Sequence, residues 1–411
     1  MGKKVRLARN TEINKGILLT DRQRLSWLRL LRSENIGAVS FRNLIDHYKT
    51  AEKALAALPE LSRKGGGSAS IKIASLEDAE KEIQKAKKLG VRFIGMGEPD
   101  YPAFLKITEA PPPLIAIKGN VSIFQKTSIG IIGSRNASAA GKKLTAQFAR
   151  FLGEADFVTI SGLARGIDSV AHQASLKTGT VAVMAGGIDH IYPPENKKLH
   201  EDIIANGGAI ISEMPISWKP RAIDFPRRNR IIAALSLGLL VVEAALRSGS
   251  LITARQAAEM GRLIFAIPGS PLDPRSVGTN NLIKDGALLT THPSDIIETL
   301  TPLILPLPNS QLNFFEEPSS LQLEKENFNL ADEKNSSLSL ADDDDTARAA
   351  VFSALSTTPI DLDTLSIHSG VSLPTLYLLL VELELAGKLI RHSGGCVSLS
   401  NLDLPQEPQH Y

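Results

Sequence analysis

Apolar residues collect in six short runs in the middle of the chain, and each run is followed by a turn and then by helical spacing. The runs cover residues 129–132, 157–160, 181–184, 209–211, 239–242 and 263–267. They are continuous rather than alternating, as is typical of strands that are buried on both faces of a parallel sheet. Strands that alternate with helices in this way form βαβ units. The pattern therefore predicts an α/β domain with a Rossmann-like, doubly wound parallel sheet.

The segment before these runs has helical spacing. Its apolar positions predict two short helices that meet at Ile36-Gly37, and these positions are Leu25, Leu28, Leu31, Ile36, Val39, Phe41 and Leu44. Such a pair is typical of a helix-hairpin-helix or sterile-alpha-motif (SAM-like) module, and equally of a plain helical bundle. The Gly-Gly-Gly-Ser sequence at 65–68 predicts a flexible break, followed by a helix over 76–89 and a strand near 92–95.

The chain ends with three helical patterns and two strand-like pieces, which predict a winged helix-turn-helix. The patterns cover 346–355, 361–366 and 373–386, and the strand-like pieces cover 388–391 and 396–399. The segment before them is rich in Pro, Ser, Asn and acidic residues, a composition that favours disorder. The predicted domains are a basic arm (1–20), an N-terminal helical domain (21–100), the Rossmann-like domain (101–300), an acidic disordered linker (301–345) and a winged-helix domain (346–411).

Composition and charge narrow the class of protein. The 411 residues are 43% hydrophobic and 22% charged, and Cys396 is the single cysteine, so a disulfide framework is excluded. The first residues have no signal-peptide core, and the longest apolar run, 231–242, is too short to span a bilayer. We therefore expect a cytoplasmic protein without a membrane partner.

The formal net charge of +2 is unevenly distributed. Residues 311–345 hold ten acidic residues and two lysines, a local charge of 2 − 10 = −8, so the remainder of the chain carries +10. A basic body with an acidic tether suits a nucleic-acid partner, although solvated lysines on helices give the same count.

Arginines concentrate within the run 225–236. Its positions Arg227, Arg228, Asn229 and Arg230 lie directly before an apolar segment. The planar guanidinium matches phosphate oxygens and stacks on bases, and a helix that begins at this point would add unpaired backbone N–H groups. The run predicts a site for a polyanion.

A glycine-rich turn at 185–193 adds the ring of Tyr192, which could stack on a ligand or only pack. Three further glycine-rich turns follow other predicted strands at the same edge of the sheet, where ligands bind. Their candidate binding residues are Gly133, Ser134, Arg135, Gly162, Arg165, Gly166, Ser248, Gly249 and Ser250. Ser250 is the expected N-cap of the helix that follows the third turn. Each turn taken alone is also compatible with a purely structural role, but several on one edge favour a shared anion site.

The same turns argue against cofactor, metal and catalytic chemistry. No G-x-G-x-x-G follows a strand, and Ser161 stands where a nucleotide-binding sheet has an acidic ribose anchor. Asp168 and His172 lack a third metal ligand at recognisable spacing, so we expect them to make structural hydrogen bonds. No turn supplies a nucleophile, an oriented base and an oxyanion site together. The sequence predicts no catalytic residues, no cofactor and no metal.

These motifs, taken in order, resemble the signature of the bacterial DprA (Smf) family over about 101–291. The matching segments are Gly133-Ser-Arg135, Ser161–Asp168 with His172, Tyr192-Pro193 with Asn196, Ser212-Glu-x-Pro215, Phe225–Ile232, Val242-Glu-Ala244, Ser248–Ala254, Pro268-Gly269 and Gly278-x-Asn280 with Leu282-Ile283. One departure is Ala234, where many members have glycine.

The resemblance implies a DNA-processing protein that binds and protects single-stranded DNA during natural transformation and helps to load the RecA recombinase. Its DNA pocket would fall on Ser134, Arg135, the turn 162–166, Arg228, Asn229 and Arg230. The resemblance also implies a homodimer. The apolar residues of 251–265, which outnumber what one sheet face needs, give this weak support.

Two other classes of protein remain as alternatives. Rossmann-like nucleoside-monophosphate phosphoribohydrolases (lysine-decarboxylase-like) share the predicted topology, but their Pro-Gly-Gly-x-Gly-Thr-x-x-Glu segment is absent here, since Ser270 follows Pro268-Gly269. A transcription factor would rest on the winged helix alone.

The predicted third helix of the winged helix does not suit DNA reading. It carries Glu382 and Glu384 without a lysine or arginine, and carboxylates repel a phosphate backbone. Its leucines, Leu376, Leu379, Leu380 and Leu383, are expected in the core of the module. Tyr377 and the acidic face would then remain for a protein partner.

Overall fold

The computed structural model describes residues 18–67, 71–304 and 340–400, and its contacts divide the chain into two compact units. The first, here called the sheet unit, contains residues 18–19 and 82–304. The second, here called the two-module unit, contains 20–81 and 340–400, apart from 68–70. Most of the predicted basic arm and linker (1–17 and 305–339) lies outside the described residues.

The sheet unit is built on one nine-stranded sheet. Its strands are β1 (Arg92–Gly95), β2 (Leu114–Gly119), β3 (Ser128–Ile132), β4 (Val158–Ser161), β5 (Thr180–Val183), β6 (Ala209–Ser212), β7 (Gly238–Val241), β8 (Leu263–Ala266) and β9 (Leu288–Leu289). The order is β1-β2-β6-β5-β4-β3-β7-β8-β9. β3 to β9 are parallel, while β1 and β2 add antiparallel pairs beside β6. The predicted doubly wound α/β sheet is confirmed.

Chain direction across the sheet reverses next to β3. The chain runs from β3 outward through β4, β5 and β6, and then returns to place β7 on the other side of β3. Loops that leave neighbouring strands on the two sides of such a switch point diverge and leave a crevice. The crevice therefore lies beyond the carboxyl ends of β3 and β7, where two of the predicted glycine turns begin.

The connecting helices pack on the sheet or on one another. They are α5 (Ala103–Lys106), α6 (Ala139–Glu154), α7 (Ile167–Ala174), α8 (Lys197–Ala205), α9 (Asp224–Leu235), α10 (Gly249–Glu259), α11 (Val277–Lys284) and α12 (Pro293–Leu300). In α6, Phe148 and Leu152 lie one turn apart and pack with Ile129, Ile131 and Phe265 in one core. Each such buried side chain stabilises the fold by about 1.5–3 kcal/mol.

The two-module unit combines both ends of the chain. Its N-terminal module has α1 (Asp21–Arg32), α2 (Ala38–Tyr48) and α3 (Ala51–Lys64), with Trp27 and Phe41 in edge-to-face contact in the core. α4 (Leu76–Lys88) contains the division between the units. The winged-helix module has α13 (Leu340–Ala354), β10 (Ile360–Asp361), α14 (Leu362–Ser369), α15 (Leu373–Leu385), β11 (Leu389–Arg391) and β12 (Cys396–Leu399).

The leucine prediction for the winged helix is confirmed, because the four leucines of α15 lie in the core of that module. No single described helix is long and apolar enough to cross a membrane. The bent pair α14 and α15 passes that test by length and composition, but this core takes its apolar residues from both helices.

Two expected boundaries are wrong, and two elements were not predicted. β1, assigned to the N-terminal domain, pairs with β2 and extends the sheet, so the sheet begins before residue 101. α13 begins at Leu340, inside the segment assigned to the disordered linker. α3 and β2 were missed because of nearby prolines. α3 contains Pro59, and β2 begins directly after Pro111–Pro113, and prolines usually interrupt helices and strands.

Candidate nucleic-acid interface

The loop after β3 brings an arginine out over the sheet edge. A Cβ at Gly133 would lie 2.7 Å from Ile167 Cγ1 and 2.9 Å from the carbonyl oxygen of Glu243, so only glycine fits between β7 and α7. Arg135 is exposed, and its guanidinium lies 5.0 Å from the centre of the Phe225 ring. The loop therefore carries a positive charge that is accessible to solvent and backed by an aromatic surface.

Two buried polar side chains accept hydrogen bonds from the backbone of the loop after β4. Asp168 Oδ2 accepts hydrogen bonds from the backbone N–H of Gly162 (3.1 Å) and Ala164 (3.4 Å). His172 Nε2 accepts one from Leu163 N (3.3 Å), while its Nδ1 lies 2.7 Å from Thr180 Oγ1. Both residues thus have the structural role predicted for them.

The bonding of His172 defines its charge and tautomer. Because Nε2 accepts from a backbone N–H, the ring proton lies on Nδ1 and is donated to Thr180 Oγ1, which in turn donates to Thr159 O at 2.8 Å. Burial, together with the nearby charge of Arg228, lowers the pKa of His172 from 6.5 to about 3. The imidazole is therefore neutral at neutral pH, and its two hydrogen bonds connect the loop to β5.

α9 directs Arg228 to other partners than its two remaining arginines. The Arg228 side chain is buried, and it donates to the carbonyl oxygens of Gly162 (2.6 Å) and Val183. Burial lowers the pKa of this guanidinium to about 10, and the carboxylate of Asp168 opposes that shift. A Cβ at Gly162 would lie 2.6 Å from the guanidinium, so the loop glycine is required by contact with Arg228.

Arg227 and Arg230 lie one turn apart and share the buried carboxylate of Glu213. Arg227 Nε is 3.2 Å from Glu213 Oε1, and Arg230 pairs with the other carboxylate oxygen. Arg230 also donates to the carbonyl oxygen of Ala110 at 2.8 Å. The helix that carries these arginines starts at Asp224, so a helix begins at this run as predicted and the arginines occupy its first turns. Its two outer arginines are thereby held by protein groups.

The starts of two helices border the crevice and differ in what they bind. At α6 the cap residue Ser138 binds the carboxylate of Glu243, with Ser138 N to Oε2 at 2.9 Å, so an internal anion already occupies this helix start. At α10 the N-cap is Ser248, which accepts from Ser250 N at 3.3 Å. The expected cap Ser250 is therefore wrong by two residues, since it belongs to the first turn.

Two cavities occupy the crevice. The larger is about 500 Å³ and is lined by the loops after β3 and β7 and by α9 and α10. The smaller is about 350 Å³ and is lined by Arg135, Asn136, Gly162, Ala164, Arg165, Tyr192, Pro193 and Phe225. Arg135 and Phe225 line both, and the Tyr192 and Phe225 rings lie 5.8 Å apart. We call the two cavities together the cleft.

Most of the predicted binding residues line the cleft. These are Gly133, Ser134, Arg135, Gly162, Arg165, Arg228, Asn229, Ser248, Gly249 and Ser250. Gly166, Arg227 and Arg230 do not line either cavity. Gly166 (φ +75°) instead lies against the loop after β3, where a Cβ would be 2.3 Å from the carbonyl oxygen of Ser134. It joins the two loops rather than facing a ligand.

The cleft is also lined by residues that were not among the predicted binding residues, among them Asn136, Phe225 and Arg247. Phe225 and Arg247 were visible in the sequence beside selected residues, whereas nothing in the sequence marked Asn136. Within residues 71–304, Arg165 forms an ion pair with Glu195, and Arg227 and Arg230 form ion pairs with Glu213. Arg135 and Arg247 form no ion pair in this range. The exposed guanidinium of Arg135, which has no ion pair in these residues and lies beside the Phe225 ring, suits an anionic ligand with planar rings.

The fold and the cleft define an α/β protein with a cationic binding edge, flanked in sequence by two helical modules. Residues 92–301 match the family model described as DNA recombination-mediator protein A. Residues 21–85 match a DprA-like N-terminal HHH domain, and residues 336–395 match a DprA winged helix domain. The chain therefore belongs to the DNA recombination-mediator protein A (DprA/Smf) family, which confirms the resemblance and identifies the N-terminal module as an HHH domain.

Individual relatives agree with this assignment. The chain is 37% identical over 305 residues to Protein Smf of Escherichia coli (strain K12), covering 73% of this chain and 75% of the relative. It is 42% identical over 217 residues to DNA processing protein DprA of Bacillus subtilis (strain 168), covering 52% and 73% respectively. The X-ray structure of DNA processing protein A (DprA) from Streptococcus pneumoniae is similar with 31% identity and a TM-score of 0.56, covering 68% of this chain and 98% of that one.

Proposed function

We propose that this protein binds single-stranded DNA in the cleft and acts in DNA processing during natural transformation. The observation that carries the proposal is the placement of Arg135, exposed and without an ion pair in residues 71–304, beside Phe225 at the junction of the two cavities. Guanidinium groups neutralise phosphates, and aromatic rings stack with unpaired bases regardless of sequence. A duplex hides its base faces, so such a cleft favours a single strand.

A titration of labelled single-stranded and duplex oligonucleotides at several salt concentrations tests this proposal. We expect preference for the single strand. Arg135→Ala should weaken binding about tenfold, because a hydrogen bond to a charged group contributes about 1.5–3 kcal/mol. The slope of log affinity against log salt should flatten by about 0.7 for the phosphate contact that is lost. Arg150→Ala, which removes an exposed arginine on α6 away from the cleft, is the matched control.

Arg230→Ala distinguishes a residue that contacts DNA directly from one that only supports the structure of the site. Because Arg230 is bonded to Glu213 and Ala110, we expect weaker binding with a smaller change in the salt slope than for Arg135→Ala. Unchanged affinity in both variants would remove the cleft from the binding mechanism.

The proposal includes protection of the strand and its delivery to a RecA recombinase, in the cytoplasm and as a homodimer. The family assignment supports the delivery step, which predicts faster RecA assembly on strands coated with single-strand-binding protein. The edge strand β9 supports a dimer, since Leu288 and Leu289 are 39% and 55% exposed at the end of the sheet. The segment 251–265 supports it less than expected, because Ala254, Ala257 and Phe265 are buried. Light scattering of the purified chain tests the dimer.

We further propose that the protein is not an enzyme and takes no cofactor. The polar groups that a reaction would recruit are bound internally: Asp168 and His172 to the loop after β4, and Glu243 to the start of α6. An assay for base release from nucleoside monophosphates distinguishes this proposal from the phosphoribohydrolase alternative, because release would establish an enzyme.

A further inference from the structure

The winged-helix module and the N-terminal module meet through α15, the helix that a DNA-binding winged helix would place in the major groove. The side chain of Asn35, between α1 and α2, donates from Nδ2 to the carbonyl oxygen of Leu385 at 3.2 Å. The two partners are 350 residues apart in the chain. The C-terminal end of α15 therefore satisfies one of its unpaired carbonyls with the opposite end of the protein.

Gly65 allows the backbones of the modules to touch. A Cβ at this position would lie 2.1 Å from the carbonyl oxygen of Glu382 and 3.1 Å from Ala386 Cβ. Gly65 has φ −69° and ψ −1°, a conformation open to any residue, so glycine is required there for space rather than for its backbone angles. The Gly-Gly-Gly sequence, expected to be a flexible break, is in its described part a packing surface.

α15 has a second buried face beyond the one in its own module. Val381 and Leu385, one turn apart, are 0% and 3% exposed but are not among the residues of the winged-helix core. Glu382 between them is 2% exposed and is held by Arg348, with Nε to Oε2 at 2.9 Å. The acidic face was expected to remain open to a partner, and for Glu382 this is wrong, because the chain itself covers that residue.

Size explains why both modules need this contact. Each has only about 60 described residues, and a domain of roughly that length buries about 60% of its unfolded surface and is marginally stable alone. An electrostatic link also crosses the contact: burial raises the pKa of Tyr48 on α2, and the carboxylates of Glu60 and Glu382 raise it further.

We infer that the winged-helix module is the dock for the N-terminal module, and that each keeps the other folded. α15 is thus an intrachain support rather than a reader of DNA, and the ends of the chain form one cooperative unit. This inference does not depend on the cleft or its ligand.

Hydrogen exchange of the full-length chain, resolved by peptide, tests the inference. Gly65→Val places a branched side chain against the backbone of α15, so amides of α1 to α3 and of α13 to α15 should exchange faster together, by about tenfold or more. The strands β3 to β8 should not change. Ala56→Val adds the same side chain at an exposed position of α3 and should alter exchange only locally.

Asn35→Ala provides a second route that adds no volume. Loss of the hydrogen bond to Leu385 should raise exchange of both modules in parallel by a smaller factor, so the test survives if Gly65→Val does not fold. Unchanged protection of α15 in both variants would show that the modules are independent. Slower exchange of α15 upon addition of duplex DNA to the unmodified chain would show that this helix binds DNA. Each of these two results would overturn the inference.

Discussion

The sheet unit and the two-module unit both combine glycines at close contacts with nearby arginines, but among the described residues only the sheet unit leaves such an arginine free to bind a ligand. In the sheet unit, Gly162 makes room for Arg228, while Arg135 stays exposed beside the cavities. In the two-module unit, Gly65 makes room for the backbone of α15, and Arg348 and Arg391 pair with the glutamates of that helix. Close approach through glycine gives a ligand site only where the loops leave positive charge without an internal partner.

The largest effect is expected when the two loops of the cleft are forced apart. Gly166→Ala places a Cβ 2.3 Å from Ser134 O at a φ of +75°. It should cost the sheet unit about 1–3 kcal/mol of stability and weaken single-strand binding about tenfold. Gly261→Ala, with φ +69° and open surroundings, is the matched control and should leave binding unchanged. If α15 also lost protection from exchange in Gly166→Ala, the two units would not be independent.

An effect that is absent at neutral pH and grows only in acid is expected from the buried histidine. The folded-state pKa of His172 is about 3, below the unfolded value of 6.5, so only the unfolded chain gains this proton as pH falls between them. The free energy of unfolding should therefore decline from pH 6.5 downward, by at most about 1.4 kcal/mol per pH unit for this group. Urea denaturation should show a flatter pH dependence for His172→Gln than for the unmodified chain.

The control for this experiment is His368→Gln, an exposed histidine of α14 in the other unit. Its pH profile should match that of the unmodified chain. If the free energy of unfolding varied with pH equally in the unmodified chain and in His172→Gln, protonation of His172 would not be the cause of the loss of stability in acid.

The smallest effect on DNA binding is expected from the largest deletion. Truncation after Leu300 removes the winged-helix module but leaves the cleft, so single-strand affinity should stay within a few-fold of the intact chain. Exchange in α1 to α3 should nevertheless rise, because their dock is gone. A collapse of affinity in a truncated chain that still folds by circular dichroism would show that the tail binds DNA.

The order of apolar runs and turns along the chain was enough to predict the sheet and the edge at which its loops gather. Continuous apolar runs must be buried on both faces, and parallel strands end at a common edge, so the turns at Gly133, Gly162 and Ser248 had to converge. These are consequences of local pattern and chain direction. The winged-helix core followed in the same way, from the spacing of its leucines.

Which charges face the cleft, and which glycines are packed, depends instead on contacts between distant segments of the chain. Arg227, Arg228 and Arg230 look equivalent along the chain, but Glu213 from another segment binds two of them and the Gly162 loop binds the third. Gly65 looks like a hinge until Glu382, more than 300 positions later, lies against it. The position of such partners depends on contacts between distant segments, and no periodicity within one segment records it.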